Sequence, residues 1–209
     1  MADLPFDLPP GLAERLATAL DVEAKIPRAL DALGPIAGRD VALVDPGEGL
    51  MAARLESLGA RIRGAVVDAN GRIDLPDGGA DVVVSCWSAF RGVDPSELAE
   101  AGRILRHGGR LLVVHDYGRD DVSRLHADAA TRPEYTSWSR RDGPFLRGGF
   151  RIRVVHCWWT FPSVDEARGL VSEAFGASGR SFAANLHRSR LSYNVAIYHR
   201  TFGEAGGIA

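Results

Sequence analysis

The chain has 209 residues, a length that predicts one globular domain. Hydrophobic residues make up 45% of the chain and charged residues 25%, which excludes wholesale disorder and a coiled coil. The formal net charge of −2 argues against a general nucleic-acid binder. The two cysteines, Cys86 and Cys157, lack metal-ligand spacing, so we expect a reducing compartment and no bound metal.

No apolar run is long enough to span a membrane, and the amino terminus, MADLPFDLPPGLAERL, carries acids where a signal peptide needs a basic start. We therefore expect a cytoplasmic protein without membrane contact. Charge is unevenly distributed, because residues 1–136 hold 15 basic and 22 acidic side chains and residues 137–209 hold 10 and 5. The basic cluster in the second part contains Arg140, Arg141, Arg147, Arg151, Arg153, Arg180, Arg188 and Arg190. It predicts either a solvated surface or a docking face for an anionic ligand or an acidic partner, including another copy of the chain.

The amino-terminal part of the chain predicts helices. Apolar residues recur at helical spacing through Leu12–Leu33, so we expect a helical segment over residues 1–35. The next apolar run, Val41–Val44, predicts a strand, and the residues after it predict a helix that ends at Gly59. Residues 62–67 predict a second strand.

Two further apolar runs, Asp81–Ser85 and Arg110–His115, predict buried strands. A helix is expected between them. Asp94 is its predicted cap, Pro95 lies in its first turn, and Glu97 occupies the capping-box position. We expect this helix to stop at the Gly-Gly pair that precedes the second run.

The last third of the chain has a different pattern. Phe150–Phe161 alternates in part and predicts a strand, and Ser163–Glu166 is a second capping box before a helix that ends near Gly176. Leu191–His199 predicts a closing strand. Such a final helix and strand often bring an antiparallel edge to a parallel sheet.

Short apolar runs without polar alternation are typical of strands covered on both faces, and here they alternate with helices. We therefore predict an α/β domain with a Rossmann-like, doubly wound, mostly parallel sheet and an antiparallel edge strand. The expected organisation is a helical segment over 1–35, the main domain over 36–202 and a flexible tail over 203–209. Residues 118–149 predict an irregular or inserted region.

Two segments in the middle of the chain carry a recognisable pattern. They read DLPDGGADVVVS (Asp74–Ser85) and ELAEAGRILRHGGRLLVV (Glu97–Val114). In order and content they resemble class I S-adenosylmethionine-dependent methyltransferases, in which an aspartate opens the fourth strand and a helix leads through an arginine and a Gly-Gly turn to the fifth. The segments FRIRVVHCWW, FPSVDEARGLVSEAFG and LSYNVAIYHR fall where that family has its sixth strand, last helix and seventh strand. The resemblance covers roughly residues 35–200 and implies methyl transfer from S-adenosylmethionine to a small molecule.

The turn after the first strand reads VALVDPGEGL. The family has an acid in this strand followed by three alternate glycines, which let backbone amides approach the amino-acid end of the cofactor. Gly47 and Gly49 match the second and third glycines, Asp45 stands at the first, and Leu43 replaces the acid. Pro46 removes one amide. The resemblance implies cofactor contacts at Asp45, Gly47 and Gly49, and Asp45 either takes over part of the missing acid's role or blocks the site.

Residues 60–80 are shorter than their counterparts in the family, which places two strands and a helix before the PDG turn. This chain has sequence for one strand, so a strand and a helix are expected to be absent. The family's ribose-binding acid would fall near Val66 and its adenine-side acid near Ala69, and Asp68 lies between the two. Asp68 is either a cofactor ligand or part of an Asp-Ala-Asn-Gly turn, which the Asn-Gly pair favours.

Ligands of open α/β sheets bind beyond the carboxyl ends of the strands. Ser85 is the candidate cofactor contact at the end of its strand, and Trp87 and Phe90 are candidate walls of a substrate cleft. The alternative for Trp87 is that it caps the core, as a lone tryptophan commonly does. Cys86 lacks a neighbouring histidine and is not expected to act as a nucleophile.

His115 and Tyr117 follow the next strand at the same edge of the sheet. His115 is the candidate general base, because a histidine pKa lies near neutrality, and the alternative is a hydrogen-bonded strand-end histidine without a catalytic role. Tyr117 is a candidate substrate contact. Methyl transfer from a sulfonium needs mainly placement and desolvation, so a base is optional.

Two functions remain open from the sequence. The first is a methyltransferase that uses S-adenosylmethionine and a small-molecule acceptor. The second is a degenerate, non-catalytic relative that acts as a binding or scaffold subunit. A nicotinamide-dependent dehydrogenase is disfavoured because no G-x-G-x-x-G follows the first strand.

Overall fold

The computed structural model of the chain describes residues 3–6, 8–125 and 136–203. Its helices are α1 (Pro10–Ala19), α2 (Lys25–Leu33), α3 (Leu50–Glu56), α4 (Pro95–Ile104), α5 (Pro144–Arg147) and α6 (Val164–Ala184). Its strands are β1 (Asp40–Val44), β2 (Arg61–Ala65), β3 (Ala80–Cys86), β4 (Leu105–Asp116), β5 (Arg151–Thr160) and β6 (Arg190–Thr201). A 3₁₀ turn covers Val122–Arg124.

The strands form one sheet in the order β2-β1-β3-β4-β6-β5. β1 pairs in parallel with β2 and β3, and β3 pairs in parallel with β4. β6 runs antiparallel to its two neighbours, β4 and β5. β5 is the outer strand on this side of the sheet. The predicted α/β class and the mostly parallel sheet with an antiparallel strand at one side are confirmed.

Alternate residues of the strands feed two cores, one on each face of the sheet. Val41 and Leu43 face a core that contains buried residues of α1, α2, α3 and α6. Ala42 and Val44 face a second core formed with α4 and the aromatic residues of segment 138–150. Because helices cover both faces, the strands are continuous apolar runs, which is why they were recognisable in the sequence.

The two predicted helix starts are present. The Asp94 side chain accepts hydrogen bonds from the amides of Ser96 and Glu97, and the Ser163 hydroxyl accepts one from the Glu166 amide at 3.1 Å. The capping box at α4 is not completed, because the Glu97 carboxylate accepts a hydrogen bond from the Phe90 amide at 3.0 Å instead. Glu97 therefore holds the loop after β3 against the start of α4.

One predicted helix end is confirmed and one is wrong. The helix expected to end near Gly176 does so, because Gly176 has non-helical angles (φ 55°, ψ −126°) and α6 joins two helical stretches across a kink at this residue. Glycine tolerates this conformation, and the second stretch, which was not predicted, runs to Ala184 with Ala183 buried like Leu170 before the kink. The helix expected to reach the Gly-Gly pair ends at Ile104, because Gly108 donates a hydrogen bond to Phe202 in an extension of β4.

The short stretch between β2 and β3 confirms the predicted loss of a strand and a helix. Between Ala65 and Ala80 the chain forms turns and a single bridge that joins Val67 to Ile73. Arg103 of α4 holds this stretch, because its guanidinium donates to the carbonyls of Ile73 (3.0 Å) and Leu75 (2.8 Å). β2 is consequently an edge strand of the sheet.

The amino-terminal segment packs into the first core. The Phe6 ring lies 5.7 Å from the Trp159 ring and 4.9 Å from the Phe175 ring, both edge-on. Leu16 and Leu30, on the two predicted helices, are fully buried. Of the expected tail, residues 204–209 lie outside the described residues. No helix in the described ranges is both long and apolar enough to cross a membrane.

Candidate functional site

The carboxyl ends of β1, β2, β3 and β4 lie along one edge of the sheet, and each is followed by a loop. In an open α/β sheet this edge is where ligands bind. The loop after β1 carries the predicted glycine turn, the loops after β3 and β4 carry the other predicted site residues, and the loop after β2 carries Asp68. The geometry of each loop decides what its residues can contact.

The turn after β1 has the backbone conformation expected of a ligand-binding turn. Gly47 has a φ of 67° and Gly49 a φ of 93°, values that glycine adopts without steric cost. Asp45 also has a positive φ, 48°, which is uncommon outside glycine, and its amide donates to the Ala65 carbonyl at 2.8 Å. Its half-buried carboxylate accepts no hydrogen bond from any residue within the described ranges. The turn thus presents a carboxylate that the fold does not use.

Asp3, which the sequence analysis did not single out, closes the other side of this turn. Its carboxylate accepts hydrogen bonds from the amides of Gly49 (3.1 Å) and Met51 (2.8 Å) at the start of α3. Gly49 itself has no side chain that could cap the helix, so Asp3 supplies the cap from 46 residues away. No local sequence signal could have identified a cap so distant in the chain.

A cavity of about 470 Å³ adjoins the turn. Its lining consists of Asp3, Leu4, Pro10, Gly11, Ala13, Glu14, Ala17, Thr18, Glu48, Gly49 and Leu50. Small-molecule sites commonly span about 300–1,000 Å³, so its size suits such a ligand. Three of these lining residues, Asp3, Glu14 and Glu48, are acidic and none is basic. The cavity therefore favours a ligand that carries positive charge.

Ser85 lies at the end of β3 with its hydroxyl engaged by the following loop. The hydroxyl accepts a hydrogen bond from the Ala89 amide (3.2 Å), donates to the Ala89 carbonyl (3.1 Å) and lies 3.2 Å from the Ser88 hydroxyl. The residue is fully buried. These contacts shape the loop, and the predicted cofactor contact of Ser85 stays a prediction.

Trp87 and Phe90 are both buried beneath this edge, in different cores. The Trp87 ring stacks on Tyr193 with centroids 6.4 Å apart, whereas Phe90 packs in the second core. Their side chains are 4% and 3% exposed, which matches the core-capping interpretation of Trp87 and leaves little ring surface for a substrate. Cys86 is buried beside them, and burial raises the pKa of its thiol far above the usual range.

His115 is enclosed and hydrogen-bonded. Its Nε2 lies 3.1 Å from the Phe90 carbonyl and donates to it, and its ring packs against Trp138 at 4.8 Å and Phe145 at 6.2 Å. Burial lowers the pKa of the ring to about 4, so it is neutral at physiological pH. The enclosed ring matches the alternative of a hydrogen-bonded strand-end histidine without a catalytic role. A general base would need a ring that a methyl acceptor can reach.

Tyr117 lies half-buried at the mouth of the same edge. Its amide donates to the Asn194 carbonyl at 2.9 Å, and the Arg119 guanidinium lies 5.9 Å from its ring centroid. Its partly buried ring packs against the second core. The predicted role of Tyr117 as a substrate contact stays a prediction.

Asp116 at the end of β4 and the acids in the loop after it were not predicted as site residues, and the structure shows them anchoring this loop to β6. Tyr193 donates its hydroxyl hydrogen to Asp116, Asp120 accepts from the Asn194 amide at 2.8 Å, and Asp121 accepts from the Ser192 hydroxyl at 2.8 Å. Burial raises the pKa of Asp120. The acidic run after the strand was the available signal, and its role is structural.

Asp68 belongs to a turn. Its carboxylate accepts hydrogen bonds from the amides of Asn70 (2.8 Å) and Arg72 (2.9 Å), and these bonds lower its pKa. At the end of β2, where the family's ribose acid would stand, Val66 is 63% exposed. No group of three or more histidine, cysteine, aspartate or glutamate side chains in the described part of the chain is placed to hold a metal ion.

Comparisons with known proteins identify the fold. Neither a protein-family model nor a curated protein matches the chain. Among solved structures, an S-adenosylmethionine-dependent methyltransferase from Aquifex aeolicus is 15% identical and has a TM-score of 0.52, with 92% of this chain and 98% of that one covered. A protein from Anaeromyxobacter dehalogenans, proposed to be a type II methyltransferase, is 18% identical with a TM-score of 0.52, covering 85% and 95%. The MccD protein is 12% identical with a TM-score of 0.51, covering 83% and 96%. Together with the sheet order, these likenesses show that the chain has the fold of the class I S-adenosylmethionine-dependent methyltransferases.

Proposed function

We propose that the chain transfers a methyl group from S-adenosylmethionine to a small-molecule acceptor, with the amino-acid end of the cofactor at the turn formed by residues 45–49. One observation carries the proposal: the glycine turn at the end of β1 adjoins an acidic cavity of about 470 Å³. S-adenosylmethionine bears a sulfonium and an ammonium group, so the sign of the cavity matches the ligand.

The residues present fit one end of this cofactor. A side-chain carbon added at Gly49 would meet no atom within 4 Å, so the turn faces open space that a ligand can enter. The carboxylates of Asp3 and Glu48, which line the cavity, suit an ammonium group. Asp45 lies in the same turn but does not line the cavity. The ribose end lacks the acid of the family, because Val66 occupies its place. We therefore expect weaker binding than a complete motif would provide.

When bound, the cofactor supplies a methyl group on an electron-poor sulfur. The work left to the chain is to hold the acceptor in line and to exclude water. Trp87, Phe90 and Tyr117 are the candidate acceptor contacts at the same edge of the sheet, and none of the three lines the cavity beside the turn. With the pKa of His115 lowered to about 4, we assign no proton transfer to this ring. An acceptor that is already nucleophilic at neutral pH suits such a site.

A non-catalytic binding protein is the second candidate. The exposed Val66 and the turn hydrogen bonds of Asp68 favour it, since together they leave no carboxylate at the end of β2 for the ribose hydroxyls. In this case the turn would be a remnant of the fold. Cofactor binding separates the two candidates.

Calorimetric titration with S-adenosylmethionine and S-adenosylhomocysteine tests the proposal. We expect binding that Gly49→Val abolishes, because the branched side chain fills the open side of the turn. Gly38→Val is the matched control: Gly38 also has a positive φ, 71°, and open space around it, but lies before β1 at the opposite edge of the sheet. The absence of heat at millimolar ligand, or equal loss in both variants, would count against the proposal.

A further inference from the structure

β5 is the outer strand on the carboxyl-terminal side of the sheet, and part of its edge is unpaired. The Asp21 amide donates to the Trp158 carbonyl at 2.9 Å from the side away from β6, so the backbone groups of Trp158 face outward. In an antiparallel strand alternate residues face the same way, and the backbone groups of Ile152, Val154 and His156 therefore also face outward. None of these three makes a hydrogen bond on that side to a residue the structure describes.

Helix α2 runs beside this open edge. A hollow of about 360 Å³ lies between one face of α2 and residues 153–156 of β5. The helix residues that line it are Lys25, Arg28, Ala29 and Ala32, which share one helical face. Residues 153–156 of β5 point alternately to opposite faces of the sheet, so the hollow lies along the edge of the strand. The arrangement is a groove between a helix and an open strand, the geometry in which extended peptides add to a sheet.

The groove is positively charged. Arg28 and Arg153 line it, Arg151 lies two residues along the same strand face, and all three are exposed. None of the three forms an ion pair within the described ranges, and Arg28 donates only to the Glu23 carbonyl. Lys25 pairs with Glu23 at 2.7 Å, which leaves the three arginines as the available cations. Arginines without an ion-pair partner, next to unpaired backbone groups, favour binding of an acidic partner.

A second copy of this chain is a poor occupant. If two β5 edges paired, Arg151 and Arg153 of each copy would face the same cations of the other, and like charges opposite each other destabilise a pair of strands. The same arginines protect the edge from uncontrolled self-pairing. The charge pattern thus selects a partner of opposite sign.

We propose that the groove between α2 and β5 binds an extended acidic peptide segment of a partner protein, which adds to the sheet beside residues 152–156. The backbone groups of Ile152, Val154 and His156 provide the hydrogen bonds, and Arg28, Arg151 and Arg153 select acidic side chains. Asp21 already uses the end of this edge in the same way, through its bond to Trp158. The groove shares no lining residue with the cavity beside the glycine turn.

Fluorescence anisotropy with a labelled heptapeptide of alternating glutamate and valine tests this inference on the full chain. We expect binding at low ionic strength and none for a matched lysine–valine peptide. Arg153→Glu and Arg28→Glu should each weaken binding by about tenfold. Arg63→Glu is the control, because Arg63 is an exposed arginine on β2, the opposite edge strand.

The strand-addition geometry has its own test. Val154→Pro removes an outward N–H, and proline is tolerated at such an edge position, so the fold should persist by circular dichroism while peptide binding falls. Unchanged binding in Val154→Pro would overturn strand addition, and equal binding of the lysine–valine peptide would overturn the charge argument. Concentration-dependent dimers in sedimentation that Val154→Pro abolishes would show that a second copy, not an acidic peptide, occupies the groove.

Discussion

Removing the Asp3 carboxylate is expected to destabilise the turn on which the proposed site depends. Asp3 accepts hydrogen bonds from the Gly49 and Met51 amides at 3.1 and 2.8 Å, and its side chain is buried with the residue 7% exposed. In Asp3→Ala both amides lose their acceptor at the start of α3. A lost cap costs about 1 kcal/mol, and a lost favourable charge at a helix start costs a further 0.3–1 kcal/mol or so.

The expected loss of unfolding free energy is therefore about 1–2 kcal/mol, with a fall in Tm of about 2–8 °C for a chain of this length. Urea unfolding at neutral pH measures the free energy of unfolding, and calorimetry measures Tm. Asp3→Asn keeps one acceptor oxygen and should lose about half as much.

Glu14→Ala provides the control for this prediction. Glu14 lines the same cavity, but its carboxylate accepts no hydrogen bond within the described part of the chain, and alanine suits its place in α1. It should leave stability nearly unchanged. The reasoning fails if Asp3→Ala is as stable as the parent protein or if Glu14→Ala costs as much, since the tertiary cap would then contribute nothing.

Three further predictions concern protonation and the loop after β2. Hydrogen bonding from Arg103 lowers the pKa of Glu100 to about 2, so the stability it contributes is present above its unfolded pKa of 4.5 and is lost as pH falls towards 2. Urea unfolding at neutral and acid pH should show a smaller acid loss in Glu100→Gln than in the parent. His115, with a pKa of about 4, should show no ring titration by NMR between about pH 6 and 8, and a midpoint near neutrality would contradict its enclosure. Asp68→Ala should lower the free energy of unfolding slightly, because the turn loses two hydrogen bonds, and should leave calorimetric cofactor binding unchanged, whereas a loss of binding would restore Asp68 as a ligand.

The sequence predicted the fold well because its signals are local. Asp94 and Ser163 cap helices through amides two or three residues away, and the shortness of residues 60–80 is visible without any structure. Gly176 was read correctly as a helix end, because glycine is a common local stop signal. The end of α4 was wrong, because residues 105–108 extend β4 instead and Gly108 pairs with Phe202, which is distant in the sequence.

The site was harder to predict because the state of a polar side chain depends on partners that are distant in sequence. Asp3 and the Gly49 amide it caps are 46 residues apart, and His115 is closed in by Phe90 and by the aromatic segment that contains Trp138. Sequence position placed His115 at the correct edge of the sheet. It could not show that the ring is covered, which is what separates a candidate base from a packed side chain.

The two proposed sites differ in the sign of their charge. The first part of the sequence is acidic, and Asp3, Glu14 and Glu48 from that part line the cavity beside the glycine turn. The second part is basic, and Arg153 from that part faces the open edge of β5. A cationic cofactor and an acidic peptide would therefore sort to different places by charge alone. Because the peptide groove relies on exposed arginines, added salt should weaken peptide binding steeply, while a cofactor that enters the cavity and contacts its buried Asp3 carboxylate should respond less.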